Sequence, residues 1–154
     1  MFGCTESMQE KQEEYSTEWS EIFSGFQKRV ASDDRKAEEL VKKNDISGLI
    51  SLVNGRLVNV DQVYQKVLDL YPGKEMWKLH STSLYYLTSL KEQLEYQNDV
   101  NEAVLSGKPV QDLTQIASDQ AAKTKQVGAE LGAEVQKLGI KLENDQNSKQ
   151  EKEQ

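Results

Sequence analysis

Residues 44–73 read NDISGLISLVNGRLVNVDQVYQKVLDLYPG, and the class of the fold turns on the period of that stretch. Its valines, Val53, Val58, Val60, Val63 and Val67, are residues that suit a strand. A half-buried strand, however, alternates apolar and polar residues with a period of two. Here Ile46, Leu49, Ile50, Val53, Leu57, Val60, Tyr64, Val67, Leu68 and Tyr71 recur at intervals dominated by three and four, which puts them on one face of a helix. Sustained over six turns or so, that period outweighs a weak intrinsic preference. Asn44-Asp45 supplies a turn and an N-cap before the stretch, and Pro72-Gly73 stops it.

The same period extends in both directions. Tyr15, Trp19, Ile22, Phe23, Phe26, Val30, Ala37, Leu40 and Val41 mark a first helix ending near Lys43, with Ser32-Asp33-Asp34 as a place where it could restart or kink. Met76, His80, Leu84, Leu87, Leu90, Leu94, Asn98, Asn101 and Leu105 mark a third, which exits at Ser106-Gly107. Pro109 fits the first turn of a fourth helix, whose stripe of Leu113, Ile116, Gln120, Thr124, Val127, Leu131, Val135, Leu138 and Leu142 carries it to Glu143. Long helices joined by short connections become antiparallel neighbours. The expectation is an all-α, antiparallel up-down-up-down four-helix bundle over residues 11–143, preceded by an anchor or stalk at 1–10 and followed by a polar, disordered tail at 144–154.

Composition agrees and narrows the function. The chain has 154 residues, and Leu, Ile, Val and Phe make up about 23% of it, just above the roughly 20% below which disorder is the default. One modest core follows. A net charge of -7 disfavours nucleic acid as a partner, because affinity for phosphate backbones rests on concentrated Lys and Arg. A partner on the broad surface is expected to be basic.

The first residues, Met1-Phe2-Gly3-Cys4-Thr5-Glu6-Ser7, place a small residue before a cysteine that a polar, acidic stretch follows. This resembles the cleavage site of bacterial lipoproteins. The resemblance implies that the Cys4 thiol receives a diacylglyceryl group and becomes the mature amino terminus. The protein would then be anchored to a bilayer surface of the cell envelope, on its periplasmic or extracellular side, and would not span it. The alternative is a soluble cytoplasmic sensor or adaptor bundle in which Cys4 is an exposed thiol.

No constellation for catalysis is legible. His80 is the single histidine. The paired Glu-x-x-His motifs of a di-iron bundle, a Cys-x-x-Cys-His haem site and a glycine-rich phosphate loop are all missing, so neither an enzyme nor a cofactor or metal is expected. Two other features suggest binding. Asp33, Arg56, Asn98, Asn101, Gln120 and Thr124 fall on apolar seams at heights that look equal, which predicts one polar layer with an Asp33–Arg56 pair, either fixing register or lining a ligand pocket. Tyr85 and Tyr96, eleven residues apart on helix three, point away from its Leu stripe with Val100 beside them. Both tyrosines are expected to be exposed as a partner face. Gly128, Gly132 and Gly139 are costly inside a helix, and the first two, Gly128 and Gly132, are expected to let the backbone of helix one or three approach helix four. The reading is a non-enzymatic, membrane-anchored envelope lipoprotein whose bundle binds a protein partner or a small ligand.

Overall fold

The computed structural model describes residues 7–143. Its helices are α1 (Met8–Lys42), α2 (Ile46–Leu68), α3 (Trp77–Leu105) and α4 (Gln111–Lys137), with one 3-10 turn (Lys74–Met76) leading into α3. They form an all-α four-helix bundle in which backbones approach closely from α1 to α2, α2 to α3 and α3 to α4. Side chains fix the directions. Asn98 late in α3 meets Asn54 early in α2, and Lys78 at the start of α3 meets Glu134 at the end of α4, so both pairs are antiparallel. Across the diagonal, α1 and α3 are parallel, with Tyr15 beside His80 and Trp19 beside Ser83. Cys4 and the 144–154 tail lie outside the described residues.

The helix ends follow from local chemistry. Ser7 and Asp45 cap α1 and α2 by accepting from the backbone N–H of Glu10 and Gly48. Three helices close through a residue in the left-handed region, Asn44 (φ 52°), Gly107 (φ 67°) and Gly139 (φ 68°). The N–H groups of Asp45, Lys108 and Ile140 then reach back to the carbonyls of Leu40, Ala103 and Val135. That Schellman arrangement satisfies carbonyls the helix leaves free.

Helix four is therefore shorter than the apolar spacing predicts. It ends at Lys137, not Glu143, because Gly139 turns the chain out of the helix. Residues 139–143 then run along α1: Ser20 Oγ donates to the Lys141 carbonyl at 2.9 Å, and Ser24 Oγ accepts from the Glu143 N–H at 3.2 Å. Leu142 enters the core through this strap. At the other end Pro109 precedes the helix, which begins at Gln111.

The core is built on the aromatic face of α1. Trp19 stacks on Phe23 with centroids 4.3 Å apart, and Phe26 meets Phe23 edge-on at 6.1 Å. These rings span to Leu131, Val135 and Leu142 on the α4 side, closing the α1–α4 edge with side chains and the strap. Helix α1 continues unbroken through Ser32-Asp33-Asp34, since the Asp33 carboxylate is bonded to Arg29 and does not act as a cap. Several residues of the apolar stripes stand outside the core: Val41, Leu68, Tyr71, Leu105 and Ile116 are exposed.

The glycines of α4 have three different environments. A Cβ on Gly128 would lie 3.2 Å from Tyr86 Cε2, so its small size admits a ring from α3. At Gly132 nothing stands within 4 Å, which corrects the expectation of a close backbone there. Gly139 is the left-handed cap. Alanine substitutions should therefore move stability in opposite directions: Gly132→Ala is expected to raise it by about 0.5–1 kcal/mol, while Gly139→Ala, forced to positive φ, lowers it by about 1 kcal/mol. Urea unfolding midpoints read both.

Candidate functional site

The polar seam residues are three separate groups, each with its own partners. Asp33, fully buried on α1, accepts from Arg29 Nε at 3.2 and 3.3 Å, four residues earlier on the same helix. Arg56 Nε on α2 lies 3.8 Å from Asp33 Oδ2, an ion pair without a hydrogen bond. Its Nη2 instead pairs with Asp34 and donates to the Val30 carbonyl at 3.4 Å. Asp33 and Arg56 are thus brought together, with Arg29 and Asp34 completing a four-charge cluster that the apolar pattern did not reveal.

Asn98 forms the second group, donating through Nδ2 to Asn54 Oδ1 at 2.9 Å. In the third, Gln120 Nε2 and Thr124 Oγ1 on α4 approach the Ser89 carbonyl on α3 at 3.0 and 3.1 Å. Ser89 and Asn98 are nine residues apart on one helix, about 13 Å along its axis. The expected single layer is corrected on that ground. Heights counted inward from the ends of helices match only if those ends are flush, and α4 begins about a turn below the end of α3. Asn101 is half-buried and borders a groove that Arg56 also lines, together with Ala37, Thr114 and Ala117.

Two hollows border the charged cluster through Arg56, and the one that Asp33 and Asp34 also line lies on the α1–α2–α3 side. It occupies about 190 Å³ between α1, α2 and α3. Asp33, Asp34, Arg56, Asn59, Gln93 and Gln97 supply its polar wall, and Phe26, Val30, Val60, Tyr86, Leu90 and Leu94 supply the apolar one. The cluster carries two carboxylates and two guanidinium groups, so its charge is balanced. Asn59, Gln93 and Gln97 face this space as neutral amides able to both donate and accept.

The tyrosine face is only half present. Tyr85 is 48% exposed, and Lys123 Nζ lies 5.7 Å from its ring centroid. Tyr96 and Val100 are half-buried, which corrects the expectation of two exposed rings. Helix α3 packs against both α2 and α4, so little of its circumference is left to solvent.

His80 is buried where α1 crosses the start of α3. The Tyr15 hydroxyl lies 2.8 Å from its Nδ1, and Trp77 stacks near its ring at 6.0 Å. Burial pushes the imidazole below its ordinary pKa and the Tyr15 phenol above its own, so both are held neutral near pH 7. One turn further along, Trp19 Nε1 donates to Ser83 Oγ at 2.8 Å, and that hydroxyl donates to the Leu79 carbonyl at 2.6 Å. Glu134, another buried carboxylate unmarked in the sequence reading, faces Lys78 Nζ at 3.5 Å.

Among the described residues no group of three His, Cys, Asp or Glu side chains is placed to hold a metal ion, and no helix is long and apolar enough to cross a membrane. No family model matches the chain, and it matches no curated protein and no solved structure.

Two measurements probe these groups. Asp33→Ala leaves Arg56 without one of its carboxylates in a mostly buried setting and is expected to cost about 3 kcal/mol. Arg29→Ala removes both hydrogen bonds to the buried Asp33 carboxylate but leaves Arg56 Nε 3.8 Å from it, and is expected to cost about 1–3 kcal/mol. Calorimetric or urea unfolding measures both. The second concerns pH. The unfolded imidazole titrates near 6.5 and the folded one lower, so just below pH 6.5 the unfolded chain binds more protons. Stability supplied by neutral His80 is complete above that point and declines as pH falls, until the folded imidazole itself takes a proton. The stability difference between wild type and His80→Asn should therefore shift towards the variant between pH 7.5 and 5.5; a constant difference would show that His80 is not held neutral by the fold.

Proposed function

We propose that this protein is a non-enzymatic envelope lipoprotein, tethered to a bilayer surface through Cys4, whose helical bundle binds a small polar ligand between α1, α2 and α3. The single observation that carries the binding half is the cavity beside the Asp33–Arg56 cluster, with one apolar wall and one polar wall. Ligand sites commonly combine an apolar lining with a few polar groups that fix orientation. The volume of 190 Å³ corresponds to about six waters at roughly 30 Å³ each. The occupant is therefore small. Because Asp33 and Asp34 are already paired with Arg29 and Arg56, while the Asn59, Gln93 and Gln97 amides adjoin the space, a neutral hydrogen-bonding molecule suits it better than an ion.

The tether half rests on the resemblance of residues 1–7 to a lipoprotein cleavage site and on the position of α1, whose first residue Met8 follows Cys4 by four residues. The soluble sensor or adaptor reading shares the bundle and its cavity and differs at Cys4. For that reading, exposed Tyr85 with Lys123 beside it is a protein-contact surface.

Mass spectrometry of the protein isolated from its native host tests both halves. The expected product lacks Met1–Gly3, carries a lipid on Cys4 and partitions with membranes. Under non-denaturing conditions it is expected to retain a small adduct that a Gln93→Leu/Gln97→Leu variant loses without loss of helicity. An unmodified, membrane-free chain would refute the tether, and an adduct-free wild type would refute the ligand.

A further inference from the structure

The end of the bundle that carries the start of α1 also carries the turn between α2 and α3, and exposed apolar residues gather there. Tyr71 is 88% exposed, Met8 67% and Trp77 62%. Tyr71 and Trp77 flank Pro72-Gly73 and the 3-10 turn. Both lie near Tyr15: Tyr71 and Gly73 border a surface hollow with Lys11, Glu14 and Tyr15, while Trp77 stacks near His80, the hydrogen-bond partner of Tyr15. Neither ring is needed by the core, which Met76 and Leu79 serve from the same segment.

We infer that this pole, through Tyr71 and Trp77, rests on the headgroup region of the bilayer to which Cys4 is tethered. The inference deepens the proposed function and rests on its tether. Two observations select a membrane interface over other occupants. The first is reach: Cys4 and Met8 are four positions apart, a span of at most about 14 Å, so a lipid on Cys4 keeps this pole close to the surface. The second is residue type. Tyr and Trp, each an apolar ring with a polar tip, are the side chains favoured where hydrocarbon gives way to water. Charge does not contribute: the three lysines at this pole, Lys11, Lys74 and Lys78, are outnumbered by Glu10, Glu13, Glu14 and Glu75, so attraction to anionic lipid is not the driving force. The tether supplies a high effective concentration, and the rings then set the orientation.

The geometry carries a consequence for α1. Tyr15 is level with His80, and Met8 lies seven residues, about 10 Å, nearer the tether, whereas Trp77 lies only three residues beyond His80. Helix α1 therefore projects past the rings. The bundle meets the surface tilted, with α1 inclined and the α2–α3 turn brought down beside it.

Cys4 is the only cysteine, so a maleimide-bearing phosphatidylethanolamine couples the full chain at that position to phosphatidylcholine vesicles whatever the host does to it. Of the two tryptophans Trp19 is buried and Trp77 exposed, so quenching reports mainly on Trp77. Phosphatidylcholine brominated near the headgroup end of its acyl chains is expected to quench the coupled protein's Trp77 emission by about half, while access to aqueous acrylamide falls by about twofold. Trp77→Phe should abolish the quenchable signal, and Tyr71→Ser should restore acrylamide access. Unchanged acrylamide access with no bromine quenching would overturn the contact while leaving the tether intact; an unmodified Cys4 in the host would overturn the tether and the contact with it.

Discussion

The structure depends on how α1 is held across the diagonal. Its backbone lies close to α2, and the α1–α4 edge is too wide for ordinary contact between helices, so large side chains must fill it. Trp19, Phe23 and Phe26 do this, and two hydrogen bonds set their height: Tyr15 to His80 and Trp19 to Ser83. Apolar packing alone tolerates sliding of one helix past another. A buried indole N–H or phenol that loses its partner does not, because the orphaned group costs about 1–3 kcal/mol. These bonds therefore fix the register of α1 against α3 at one end of the bundle, and the Asp33 cluster fixes α1 against α2 towards the other.

The width of that edge explains the strap. Once α4 ends at Lys137 and Gly139 turns the chain, residues 139–143 lie over the aromatic groove, and Leu142 fills space that a further turn of helix could not reach. In sequence the strap was hidden by coincidence. Leu138 and Leu142 are four residues apart, as in a helix, and Gly139 sits among other glycines and alanines. Only the backbone bonds from Ile140 to Val135 and from Gly139 to Gln136 separate a capping glycine from an interior one. By contrast the ends of α1 and α3 were legible, since Asn44-Asp45 and Ser106-Gly107 each interrupt a well-marked stripe, whereas α2 ends at Leu68, three residues short of the Tyr71 that the stripe reached before Pro72-Gly73.

The candidate site was legible in its members and not in its arrangement. Periodicity places Asp33, Asn98, Gln120 and Thr124 on inward faces, and all four are buried. It carries no information about how far one helix is displaced along its neighbour, which is why Asn98 and Gln120 looked level and are not. Nor could it find Arg29, whose side chain reaches Asp33 from a half-exposed position, or the Asn59, Gln93 and Gln97 amides that border the cavity from the edges of their helices. Glu134 was missed for a related reason. A line through Leu131, Val135 and Leu138 and a line through Val127, Leu131 and Glu134 have equally good helical spacing, and only the position of α3 decides between them.

The resulting molecule is polarised along its length. Its two most exposed rings, Tyr71 and Trp77, and the start of α1 occupy one pole, whereas Asp33 lies 25 residues along α1 from Met8, about 37 Å away. On the proposed tether, that distance carries the cavity beyond the lipid headgroups into water. The hydrogen-bonding interior of the bundle is compatible with that division. The His80–Tyr15 pair near the pole of Tyr71 and Trp77 is buried and neutral, suited to a low-dielectric neighbourhood, while the cavity half keeps four charges that need water or one another. Anchoring and recognition would then be separated by the Trp19–Phe26 aromatic stack, and among the described residues no hydrogen bond or ion pair joins the His80–Tyr15 pair to the Asp33 cluster through which a change at one end could disturb the other.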